Sequence, residues 1–310
     1  MALSKWTDNT DKSMDDILQH IMSYKDWFKA ENDPETGEPL GFQVHKVFDE
    51  NKQIKLNNQD IIFNLLNFDY ERLRPGEEKN PMRSTRIFSI TGNVIIYTDK
   101  IKTQYIINRS NSPNTLTMLR KLNDYKGRRN IIENPFSIND DMFIWMINKV
   151  LNEQNKSLDE EENLSLDRII GFKGSTADSL AVVKGSGNRI LNILSTLAFL
   201  FENENVSNIK PRIQYENETV EVSLDLNGSI DVDLETYTGN YIMHEDNERY
   251  ANVILMVLLE IIPKLLTIYN LELQSEEWSF NKKKTFFESI GTNISDKINE
   301  KIEAMEKNKD

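Results

Sequence analysis

The side chains in this sequence best suited to chemistry are cations. Residues 71–130 hold thirteen basic residues against five acidic ones, an excess of +8 in a chain whose formal net charge is −13. Arg72, Arg74, Lys79, Arg83 and Arg86 crowd one stretch rich in proline. Lys126, Arg128 and Arg129 crowd a second beside Tyr125, and Arg109 lies between the two. Guanidinium forks match phosphate oxygens in pairs, and glycine lets a backbone approach closely. Two such loops flanking a small sheet would form a groove for nucleic acid or another polyanion, with Tyr97, Tyr105 and Tyr125 as stacking platforms. The plainer alternative is that these cations pair with the acidic remainder in a solvated or intramolecular ion network. With a sequence pI near 4.9, any such footprint has to be local.

A second positive stretch, GFKGSTADSLAVVKGSGNR, carries Lys-Gly-Ser twice, at Lys173 and Lys184, and ends on Arg189. A glycine-rich turn with a basic residue ahead of a helix N-terminus is a geometry that cradles phosphate. The spacing fits neither the Walker loop nor the dinucleotide fingerprint. A hairpin connection with an N-cap at Ser186 or Asn188 is the plainer reading.

Carboxylates form the third constellation. Val220, Val222, Leu224 and Leu226 alternate with polar residues, as do Ile230, Val232 and Leu234. A turn at Asn227-Gly228 alone would oppose Asp225 and Ile230. A three-residue loop, Asn227-Gly228-Ser229, instead pairs Leu226 with Ile230, Leu224 with Val232 and Val222 with Leu234. In that register Asp225 faces Asp231, Glu221 faces Glu235 and Ser223 faces Asp233, and like charges opposed across strands destabilise a sheet. Water and salt, a basic surface or a divalent cation has to relieve them. A metal-dependent nuclease or phosphohydrolase would want such a cluster, but no lysine follows Glu235 at the spacing of the common nuclease strand motif. No metal ligand, catalytic residue or cofactor is assigned.

His20, His45 and His244 stand apart, and no serine sits in a nucleophile-elbow context. His244-Glu245-Asp246 precedes a helix whose dipole acidic residues answer. Trp6, Trp27, Trp145 and Trp278 read as packing residues. The chain has no cysteine, which excludes disulfides, thiolate metal sites and cysteine nucleophiles and fits a reducing compartment.

The elements that must position these groups are mixed. Residues 13–28 place Ile17, Ile21, Tyr24 and Phe28 on one helical face. Residues 42–48 and 53–56 read as strands, 60–66 as a short helix or a buried strand, and 72–83 as a loop. Strands at 87–90 and 94–97 flank a Gly92-Asn93 hairpin turn, and a third spans 101–107. Both faces of these strands are apolar, so the sheet should be covered on both sides. Ser112 or Asn114 caps a helix reaching Leu122, with Pro113 in its first turn. Further helices cover 138–151 and 188–201. A long helix from about 247 bends or ends at Pro263. A last amphipathic helix, 283–305, shows Ile290, Ile294, Ile298 and Ile302 four apart. It is expected to dock on the body, with a partner-helix seam as the alternative.

The fold class is therefore α+β, in two mixed halves, each a mostly antiparallel meander sheet with covering helices. Residues 1–154 and 163–310 form the halves, parted at the acidic stretch 155–163. The N-terminus lacks a signal-peptide core, and the apolar run 251–268 is broken by Glu260 and Lys264. It falls short of the roughly 18 uninterrupted apolar residues of a spanning helix. Cytoplasmic placement without membrane insertion is expected.

The first functional expectation is a non-enzymatic protein that binds nucleic acid or another polyanion. The alternative is an interaction or assembly protein, with a homo-oligomer or protein partner, acting through its acidic strand face and C-terminal helix. The second alternative is the metal-dependent nuclease or phosphohydrolase.

Overall fold

A computed structural model describes residues 2–127, 129–153, 156–159, 163–175, 182–187 and 206–307. The chain forms two compact units, Met1–Pro135 with Glu245–Asn252, and Phe136–His244 with Val253–Asp310. The first closes at Pro135, ahead of the acidic stretch where the sequence reading parts the halves.

The first unit is built on one antiparallel sheet of β1 (Ser4–Asp8), β2 (Phe42–Lys46), β3 (Lys52–Leu56), β4 (Gln59–Leu73), β5 (Ile87–Thr98), β6 (Thr103–Ile107) and β7 (Ile131–Glu133). The strand order is β2-β4-β5-β6-β1-β7, with β3 also paired to β4. Helix α1 (Met14–Met22) follows β1, and α2 (Pro113–Leu122) joins β6 to β7. Both lie over one face, where Ile17, Ile21, Leu119 and Leu122 pack with Leu66, Phe68, Tyr70 and Ile96. Phe63, Leu65, Ile95 and Tyr97, on the opposite face, are buried as well. Burial on both faces is what strands apolar on both sides require.

The expected hairpin at Gly92-Asn93 does not exist. Strand β5 runs through it, paired to β4 from Ile62↔Thr98 to Leu73↔Ile87. Gly92 lies opposite Phe68, and a Cβ there would stand 2.6 Å from the Phe68 ring. The glycine serves a close approach, not a turn. The turn that does exist is Asn57-Asn58, both at positive φ (49° and 60°), linking β3 to β4. Residues 60–66 are strand, and Arg72 and Leu73 continue it beyond the expected loop boundary.

Helix α1 starts in a capping box between Ser13 and Asp16. It ends at Met22, short of Phe28. The Ser23 hydroxyl and the Trp27 indole both donate to the His20 carbonyl, at 2.9 and 2.7 Å. A single turn, Tyr24–Trp27, follows.

The second unit holds α3 (Asp140–Asn152) and a sheet of β8 (Ser165–Ser175), β9 (Val182–Ser186), β10 (Val206–Tyr215), β11 (Glu218–Asp225) and β12 (Ile230–Thr238), ordered β12-β11-β10-β8-β9. Then come α4 (Asp246–Met256), α5 (Ile262–Gln274) and α6 (Phe280–Lys307). The first residues of α4 cluster with the first unit. Asp141 accepts from the Tyr269 hydroxyl at 2.8 Å and the Trp278 indole at 2.7 Å, and Glu272 accepts from the Trp145 indole at 2.9 Å. These bonds clasp α3 to α5 and to the segment just ahead of α6.

Pro263 does not end the long helix. A π turn, Val257–Ile261, precedes it and leads directly into α5. The wider turn relieves the clash between the proline ring and the carbonyl four residues back. The continuous helix Asp246–Gln274 has 29 residues and, by length and composition, is long and apolar enough to cross a membrane. Contrary to the sequence expectation it passes that test, but 67% of its most apolar window is buried inside the protein, as in a core helix. The expected helix at 188–201 lies outside the described residues.

Candidate polyanion site

Helix α2 supplies the site's central cations. Ser112 accepts from the Thr115 amide at its start, with Pro113 next. At its end Asp124 adopts φ 52°. The Asp124 amide donates to Lys121 and the Tyr125 amide to Arg120, at 3.3 and 2.9 Å. This is the Schellman closure. It leaves Arg120 and Lys121 in the last turn, where the helix dipole favours positive charge, and folds the following residues back over them. Arg120 donates to the Lys126 carbonyl at 2.8 Å, and its buried Nε meets no acceptor among the described residues.

The turn after α1 forms the facing wall. Trp27 stacks on His20 with centroids 5.0 Å apart and planes 8° from parallel. Phe28 stacks on Phe42 at 4.0 Å. The two walls enclose an open cavity of about 420 Å³. Lys29, Arg120, Lys121 and Lys126 line it together with the rings of Trp27, Phe28 and Tyr125, and Asp124 is its acidic member.

Lys121 ties the cavity to the sheet. Its ammonium lies 4.5 Å from the centre of the Tyr70 ring and 5.5 Å from that of Phe28. Burial lowers its pKa and the Arg72 charge lowers it further, against an upward pull from Glu31. Burial raises the Tyr70 phenol, while Arg72 and Arg109 pull it back. Tyr70 thus has the Lys121 ammonium over its ring and feels the charges of Arg72 on β4 and of Arg109 beyond β6.

The other predicted site residues fare differently. Arg86 is a buried structural ion. Its Nε and Nη2 donate to the two oxygens of Asp33 at 2.7 and 2.6 Å, and Nη1 donates to the carbonyls of Asn80 and Pro81 at 3.0 and 2.9 Å. Arg83 pairs with Glu71 at 2.8 Å. Arg74 donates to the Thr85 carbonyl at 2.9 Å and lies over Phe88. Lys126 reaches Asp124 at 2.6 Å. Arg109 donates to the Thr91 carbonyl, while Arg72, Lys79 and Arg129 are exposed. Arg128 and Arg189 lie outside the described residues. Tyr97, Tyr105 and Tyr125 are buried and offer no free stacking face; Tyr105 and Tyr125 donate to the buried Asp8 at 2.6 and 2.9 Å.

Sequence reasoning assigned Trp27 to packing and left Phe28, Lys29, Arg120 and Lys121 off the site. Arg120-Lys121 in the last turn of a helix, with Asn123-Asp124 just past Leu122, was the available signal.

In the second unit Lys173 and Lys184 are direct cross-strand partners on β8 and β9, both exposed. Both Lys-Gly-Ser copies lie on this strand pair, and the expected helix N-terminus after Gly187 lies outside the described residues.

The acidic strands pair two residues out from the expected register, Leu224 with Ile230 and Val222 with Val232. The Asp225 amide donates to Ser229 at 3.1 Å. The loop keeps three residues but is Leu226-Asn227-Gly228, with Gly228 at φ 75°. Leu226 is lost from the apolar face to the turn. Ser223 now faces Asp231, and Glu221 faces Asp233. Lys210 on β10 answers that pair, at 3.2 Å from Glu221 and 2.8 Å from Asp233. The protein's own lysine relieves the repulsion. Among the described residues no cluster could hold a metal ion.

The sequence matches no family model and no curated protein.

Proposed function

We propose that the first unit binds a polyanion, with single-stranded nucleic acid as the class that fits best, and that it does so without catalysis. The observation that carries this reading is the cavity between α2 and the turn after α1. It is lined by four cations together with Trp27, Phe28 and Tyr125, and the charges of Arg72 and Arg109 reach the adjoining Tyr70. Cations that track a backbone and rings that accept bases are the two components of single-strand binding. The half-buried Trp27, held by its stack on His20, supplies the ring surface. The absence of cysteine favours the cytoplasm as the compartment.

Fluorescence anisotropy with a labelled single-stranded oligonucleotide at low salt tests the reading. Saturable binding is expected, and it should weaken in Arg120→Gln and Lys121→Gln, with circular dichroism showing that each variant remains folded. Failure of single-stranded DNA, RNA, duplex and heparin alike to bind at low salt would end it.

A further inference from the structure

Helix α6 is 28 residues long, and its two halves differ. The first is anchored: Phe286 and Ile290 are buried, and Lys283 lies 3.3 Å from Asp141. Beyond Ile290 no described residue of α6 is buried. The apolar stripe nonetheless continues through Ile298, Ile302 and Met305, which are 44, 48 and 58% exposed. Exposed isoleucines on a repeating seam need a cover.

The spacing of four and then three is that of a coiled-coil seam. With Ile298 at position d, Ile302 falls at a and Met305 at the next d. The flanks are then fixed. Lys301 takes position g and Glu306 takes position e. Both are exposed, and among the described residues neither makes an ion pair.

These flanks select the partner. In a parallel pair, position g of one helix meets the following e of the other. Lys301 would meet Glu306 of a second copy, and the two-fold axis would repeat the contact. In an antiparallel pair g meets g and e meets e, so lysine would face lysine and glutamate would face glutamate. We infer that the end of α6 pairs in parallel with the same segment of a second copy of this chain. The seam is short, so association is weak, with a dissociation constant on the order of 100 µM.

The cysteine-free chain allows a direct test. Ile302→Cys on the seam and Glu300→Cys on the outer face are each oxidised at a protein concentration near the dissociation constant. Parallel, in-register pairing gives covalent dimer at least about tenfold faster at 302. Sedimentation of the unaltered protein should show mass rising with concentration. Ile302→Glu should remain monomeric with an unchanged melting temperature, since Ile302 is 48% exposed and lies outside the buried core. Lys301→Glu should weaken the pairing roughly tenfold, and adding Glu306→Lys should restore it. A protein that stays monomeric to about 1 mM, ten times the constant given above, or Glu300→Cys cross-linking as fast as Ile302→Cys, overturns the inference.

Discussion

The ammonium of Lys121 rests 4.5 Å above the centre of the Tyr70 ring. The ring face favours the charged ammonium, yet burial, with Arg72, outweighs the upward pull of Glu31 and lowers its pKa. A bound anion would oppose that lowering. Binding should therefore fall off at a lower pH than an ordinary lysine dictates, since Lys121 loses its proton below the usual 10.5. Lys121→Arg, which stays charged, should move that alkaline limb upward. Oligonucleotide titrations between pH 7 and 10.5 check this, and identical limbs in both proteins would remove Lys121 from the site.

Trp27 offers the test that separates nucleic acid from other polyanions. In the proposed site its ring, held parallel to His20, would be the stacking surface. Trp27→Ala should weaken a single-stranded oligonucleotide by about 1–2 kcal/mol and leave heparin unchanged. Equal losses for both ligands would mean that the ring only shapes the cavity.

Asp33 and Arg86 belong to stability. Asp33→Asn leaves Arg86 buried without its counter-charge and should lower the melting temperature at pH 7 by on the order of 10 °C. Hydrogen bonds from Arg86 hold the Asp33 carboxyl well below the ordinary 3.8. A depressed folded pKa contributes stability above the unfolded value and loses it as pH falls through the folded one. The gap between wild type and Asp33→Asn should therefore be full at neutral pH, begin to narrow below about pH 3.8 and remain partly open at pH 2, since the folded carboxyl titrates well below 3.8. Calorimetric melts across pH 2–7 measure it.

Lys210 holds the acidic strands together. Burial works to lower its pKa, but Asp233 and Glu221 outweigh that and raise it. Burial pushes Asp233 upward, and Lys210 more than reverses the effect. Lys210→Met should destabilise the second unit by about 1–2 kcal/mol, a figure discounted for the pair's partial exposure. The penalty should shrink in acid, as Asp233 protonates, and again in strong alkali, as Lys210 loses its charge. Chemical denaturation at pH 3, 7 and 11 gives the three values.

The fold was largely legible where local pattern and tertiary need agree. Alternation along β11 and β12 gave the apolar face, and the run before Leu122 gave α2 with its Ser112 cap. Reading failed where a distant residue decides the role. Gly92-Asn93 has turn chemistry, but Gly92 is there for the Phe68 ring, 24 residues earlier along the chain and opposite it in the sheet. Arg86 looks like one more surface cation until Asp33, 53 residues away, closes on it. The cavity owes its facing wall to the early end of α1 at Ser23, which periodicity alone ran on to Phe28. The acidic register slipped by two because a shift of two leaves the same faces together, so the hydrophobic pattern could not choose between them.

The most direct test is the salt dependence of single-stranded oligonucleotide affinity for wild type and for the double variant Arg120→Ala, Lys121→Ala. Four lining cations predict a slope of log K against log salt near roughly −3, and the double variant should be shallower by about 1–2. A flat dependence in wild type, or the same slope in both proteins, contradicts the assignment of the cavity as the binding site.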